Sequence, residues 1–82
     1  MNKNRREELL DVASILDDAI DRLSEIRDDE QDAFDSLPDS LQDSVRGQAM
    51  LEAIDQLDGF ENLIDGARQQ IENYAKPKKK KK

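Results

Sequence analysis

The sequence predicts an all-α protein: an antiparallel two-helix hairpin, coiled-coil-like, that pairs with a second copy into a four-helix bundle. Three observations carry this. Apolar residues recur at steps of three and four over two long stretches, and neither stretch alternates at period two. The segment Phe34-Asp35-Ser36-Leu37-Pro38-Asp39-Ser40-Leu41 separates the stretches with turn chemistry. Only 35% of the 82 residues are apolar, with no Trp and no Cys, so a lone hairpin has little to bury and nothing to staple it.

The first helix is expected over about 5–35. Asn4 with Glu7 reads as a capping box after a frayed 1–4, and Glu7 and Glu8 suit the positive end of the helix dipole. Its stripe is Leu9, Val12/Ala13, Leu16, Ala19/Ile20, Leu23 and Ile26, resuming at Ala33/Phe34. Asp18 and Arg22 form an i,i+4 pair on the wet face. Arg27 and Glu30 fall where the stripe wants apolar side chains. They read either as a polar layer with Arg27 reaching out to solvent, or as a polar pair that fixes the register or binds a partner.

The elbow is expected at 35–39. Ser36 reads as an N-cap, with Asp39 returning the bond from three residues on. Pro38 fits the first turn of the next helix and disfavours a helical Leu37. Arg46 is grouped with these four as a candidate contact residue of the elbow. The second helix is expected over about 39–75. Its stripe is Leu41, Val45, Met50/Leu51, Ala53/Ile54, Leu57, Phe60, Leu63/Ile64, Ala67, Ile71 and Tyr74. Gly47, Gly59 and Gly66 lie within it and should make it the softer half.

Folding about Leu37 pairs Leu23 with Leu51, Ile20 with Ile54, Leu16 with Leu57 and Leu9 with Ile64. Arg27 then faces Gly47, whose missing side chain leaves it room. In that register Ile71 and Tyr74 overhang the first helix without partners. The expected protein or oligomer interface is therefore Leu9, Leu16, Leu23, Phe34, Leu57, Ile64, Ile71 and Tyr74.

Charge divides the chain. Residues 1–75, the single domain, hold all 20 acids against 7 bases, a net of −13, whereas 76–82 adds six lysines and no acid. Pro77 blocks continuation of the helix and five consecutive lysines repel one another, so 76–82 reads as a disordered tail. Lys76, Lys78, Lys79, Lys80, Lys81 and Lys82 attract phosphate backbones without reading sequence. No apolar run reaches membrane-spanning length and no secretory signal stands at the start, which fits a cytoplasmic setting.

Enzymatic chemistry is poorly served. There is no His for proton transfer or metal binding, no Cys nucleophile and no Gly-rich phosphate loop. The expectation is therefore a non-enzyme with no cofactor and no metal. Asp28, Glu30, Asp32 and Asp39 do match the first, third, fifth and twelfth positions of a calcium loop. Ala33 stands where the loop needs Gly, and the segment continues as helix.

The run from Asp28 to Gly47, with its Phe34-Asp35-Ser36-Leu37-Pro38 and Leu41-Gln42-Asp43-Ser44-Val45-Arg46 core, resembles a pattern in small acidic helical-hairpin proteins of bacteriophages and prophages. The likeness extends through Met50 to Tyr74. Gly59, Gly66 and the lysine tail depart from it. It implies a helical hairpin of phage or mobile-element origin, located in the host cytoplasm, and names no activity. The functional expectation is a small non-enzymatic interaction protein, whose acidic body binds a host or phage protein or itself while its tail holds nucleic acid non-specifically. One alternative is a DNA-mimic inhibitor of a host defence or replication protein; another is a structural coiled-coil scaffold component.

Overall fold

The computed structural model describes residues 1–76, and within them all regular structure is helical: α1 (Lys3–Asp35), α2 (Asp39–Gln42) and α3 (Val45–Ala75). Beyond Lys76 the expected disordered tail lies outside the described residues. α1 starts two residues earlier than the Asn4–Glu7 pair suggests. Asn2 is the cap, its side-chain oxygen accepting from the Arg5 N–H at 2.8 Å, while the Arg6 N–H reaches the Asn2 carbonyl at 3.1 Å. The earlier cap brings Lys3 and Asn4 of the expected frayed segment into the helix.

The elbow is longer than the sequence reading allows. Ser36 does not cap a following helix; it closes α1, donating its N–H to the Asp32 carbonyl at 3.0 Å. Pro38 stands just before α2 rather than inside it, and its carbonyl accepts from the N–H groups of Leu41 and Gln42 at 2.8 and 3.2 Å. α2 makes one turn and stops at Gln42, and α3 is nucleated separately by Ser44, whose hydroxyl accepts from the Gly47 N–H at 3.3 Å. The expected continuous helix over 39–75 is thus two helices. The Gln42 side-chain amide donates to the carbonyls of Leu37 (3.2 Å) and Phe34 (3.4 Å), strapping α2 to the end of α1.

That extra turn resets the pairing of the long helices. Arg27 meets Asp58 and Glu61, not Gly47; Arg68 meets Asp17; and Arg6 donates to the Ala75 carbonyl at 3.4 Å. α1 and α3 therefore run antiparallel with α3 displaced by about three turns from the expected register. Their ends are level, so Ile71 and Tyr74 do not overhang. Gly47 instead sits buried under α2, where its bare Cα admits the carbonyls of Leu41 and Gln42.

The seam follows a heptad spacing on both helices. α1 contributes Arg6, Leu9, Ala13, Leu16, Ile20, Leu23, Arg27, Glu30 and Phe34, and α3 contributes Gly47, Met50, Ile54, Leu57, Glu61, Ile64, Arg68, Ile71 and Ala75. The Cα envelope of 63 × 23 × 15 Å is two helices wide and one helix thick. One layer cannot enclose a core. Among the described residues only Ala13 and Ala75 are buried apolar side chains, and no bulky one is fully covered.

Candidate functional site

Of the three arginines at seam positions, Arg27 and Arg68 are each held by three carboxylates. Arg27 Nη1 lies 2.9 Å from Glu61 Oε2 and 3.3 Å from Asp58 Oδ1, and its Nη2 lies 3.5 Å from Asp28. Arg68 reaches Asp65 at 2.8 Å, Asp17 at 3.0 Å and Glu72 at 3.2 Å. Glu61 Oε2 and Arg68 Nε make their close contacts without hydrogen-bond alignment, so the attraction there is ionic. In an antiparallel pair, the positions one residue after Leu9, Leu16 and Leu23 of α1 and after Met50, Leu57, Ile64 and Ile71 of α3 lie together along one edge. Asp17, Asp58, Asp65 and Glu72 all occupy such positions, so both cages close the same broad face of the slab.

Asp65 feels its cage most. The hydrogen bond from Arg68 holds its carboxyl below the ordinary value of 3.8, outweighing the desolvation that opposes it, and the same bond raises the Arg68 guanidinium. A carboxyl with a lowered folded pKa stabilises fully above its unfolded value, and that contribution disappears as pH falls through the folded value. Thermal melts should therefore show a stability difference between the parent and Asp65→Asn that is constant above the ordinary 3.8 and shrinks below it. A difference that grows in acid would contradict the arrangement.

The opposite broad face is apolar. Val12, Ala19, Ile26 and Ala33 of α1 flank the seam there, with Ile15 beside them; Ala53, Phe60, Ala67 and Tyr74 of α3 flank it likewise, with Leu63 beside them. The antiparallel pairing that puts Asp17, Asp58, Asp65 and Glu72 along one edge puts these flanks together along the other, and two shallow grooves lie among them. Leu9 lines one groove with Arg5 and Val12, and the other with Ala67, Ile71 and Tyr74. Exposed Leu10 and Leu51 are the larger apolar residues flanking the seam on the ion-paired face.

The candidate interface residues divide accordingly. Leu9, Leu16, Leu23, Phe34, Leu57, Ile64 and Ile71 are half-buried in the seam within one chain, and Tyr74 stands outside it on the apolar face. Leu37 is half-buried at the elbow, where Ser36, Pro38 and Asp39 are exposed; Arg46 lies exposed in the first turn of α3. Lys76 is the exposed C-cap of α3, while Lys78 to Lys82 fall outside the described residues. Asp28, Glu30 and Asp32 lie on continuous α1 and cannot wrap a cation as a loop would, and no other metal-holding cluster occurs among the described residues. Nor is any described helix long and apolar enough to cross a membrane.

Sequence reasoning missed Glu61 and Arg68 as seam residues and missed the second apolar stripe. Its signal was present: the doublets Val12/Ala13, Ala19/Ile20, Ala53/Ile54 and Leu63/Ile64 mark two stripes side by side, one for the hairpin seam and one for its flank. The chain matches no protein-family model, and no curated protein or solved structure matches it.

Proposed function

We propose that the chain is a small non-catalytic interaction protein of phage type. Its helical body binds a protein or a second copy of itself, and its lysine run tethers it to nucleic acid without sequence preference. The observation that supports this best is the division of the body into one ion-paired acidic face and one apolar face, with six of the thirteen bases gathered at residues 76–82 where no acid stands. A one-layer slab offers flat docking surface and only shallow, open concavities, which suits binding better than catalysis. The phage assignment rests on the elbow's sequence resemblance, and the setting would be a host cytoplasm.

The DNA-mimic alternative needs free carboxylates in rows. Six carboxylates along the ion-paired face share two arginines, which lowers the field that such a row could project. A scaffold part indifferent to nucleic acid leaves the lysine run without a role. Retention on duplex DNA separates the three. The full chain should bind at low salt with a log K against log salt slope near −5, as expected for about six phosphate contacts. Deleting 77–82 should abolish it. A truncated chain that inhibits a DNA-binding protein undiminished would support mimicry instead, and no retention in either form would support the scaffold.

A further inference from the structure

We infer that the apolar face is a docking surface for a second copy of this chain, turned end over end, so that two slabs make a four-helix bundle with their ion-paired faces outward. The inference rests on reading the chain as an interaction protein and specifies which face, which partner and which symmetry.

Area is the first argument. Ile15 is 64% exposed, Leu63 74% and Tyr74 66%, with Val12, Ile26 and Phe60 at 40–53%. Together these six side chains leave on the order of 650 Å² in water, close to the ~800 Å² per partner of a standard stable interface and above the usual largest patch of a monomer. The hairpin lacks a core of its own, and covering this face supplies one.

Charge is the second. Within a body of 20 acids and 7 bases over 1–75, the flanking positions of this face hold only Glu8 and Asp29 against Arg5, Arg22 and Arg46; Arg22, level with Leu63, stands at the outer edge of α1, where its long side chain can turn out to water beside its own copy. Two bodies meeting through the ion-paired face, or through the outer edge of α1 with Asp11, Asp18, Glu25 and Asp32, bring carboxylates together. This approach does not.

Shape is the third, and it selects the symmetry. The contacts Arg68–Asp17, Arg27–Asp58 and Arg6–Ala75 set the levels along the slab. They place Val12 level with Tyr74, Ala19 with Ala67, Ile26 with Phe60 and Ala33 with Ala53. The face is thus crossed by rungs that alternate large, small, large, small, each one heptad or about 10 Å apart. A two-fold axis across the slab, midway between the second and third rungs, lays every large rung on a small one of the partner. The same axis passes by Leu63, so that Leu63 meets its own copy. It also sends the two Lys76 C-caps to opposite ends.

The test needs neither the lysines nor DNA, so it and the tethering reading can fail separately. Sedimentation of the full 9.4 kDa chain at micromolar concentration should give twice that mass. Leu63→Glu and Ala67→Glu should each weaken association by about 100-fold or more, because each places a charge in the joint. Asn62→Glu, exposed on the ion-paired face, should leave it unchanged. Since the chain has no Cys, Leu63→Cys alone should oxidise to a disulfide-linked dimer and Ala33→Cys should not. Circular dichroism reads folding of each variant, and the Cys pair decides the matter should either Glu variant unfold. A monomer at all concentrations, a dimer broken by Asn62→Glu but not Leu63→Glu, or cross-linking at Ala33→Cys but not Leu63→Cys would each overturn the proposal.

Discussion

Arg27→Ala is expected to lower the unfolding free energy by about 2 kcal/mol, although it removes a polar residue from a seam that is mostly apolar. Arg27 is 28% exposed and Glu61 only 13%, so water shields the pair incompletely and Glu61 depends on the guanidinium 2.9 Å away. Alanine strands that carboxylate beside Asp58 with no cation between them. The partial exposure of Arg27 keeps the expected cost below the 3–5 kcal/mol typical of a fully buried pair. Replacing both, as Arg27→Leu with Glu61→Leu, should restore stability to within about 1 kcal/mol of the parent, because an apolar pair of similar volume has no charge to desolvate. Urea unfolding of the parent, both single variants and the double variant gives the coupling directly. No loss in Arg27→Ala, or equal losses in the single and double variants, would show that the cage does not hold the register.

The same residue shows how far the sequence could be read. Periodic stripes, a proline-marked break and the lack of any alternating segment were enough to place two long helices, because those signals are local. Arg27 and Glu30 were recognisable as interruptions for the same reason. Their partners were not, since pairing depends on elbow length, and the chain from 39 onward read as one continuous helix when 39–42 form a separate turn and α3 starts afresh from a cap at Ser44. Ser44, three residues before Gly47, is the cap signal that corrects this. The register then moves by eleven residues, from Gly47 to Asp58 opposite Arg27, and Ile71 and Tyr74 gain neighbours on α1. The face on which Val12 and Phe60 lie together was hidden for the same reason. Neighbours on different helices are visible only once the register is known, and one stripe drawn through every apolar doublet merges seam with flank.

Gly47 provides the sharpest check on that revised elbow, because three glycines in one helix should answer to alanine with opposite signs. A Cβ on Gly59 or Gly66 would meet nothing within 4 Å. Gly59→Ala and Gly66→Ala should therefore each stabilise by up to about 1 kcal/mol through helix propensity and a less disordered unfolded chain. A Cβ on Gly47 would lie 2.6 Å from the Gln42 carbonyl carbon and 2.8 Å from the Leu41 oxygen. These are backbone atoms of a turn strapped to α1 by the Gln42 amide, so relief requires α2 to move as a unit and to loosen those bonds. Gly47→Ala should cost about 2–3 kcal/mol despite the same gain in propensity. The register predicted from the sequence alone, with Gly47 merely making room for Arg27, requires no such backbone contact. Equal stabilisation by all three substitutions, measured by thermal melting, would mean that α2 does not lie on Gly47 and that the register built on it is wrong.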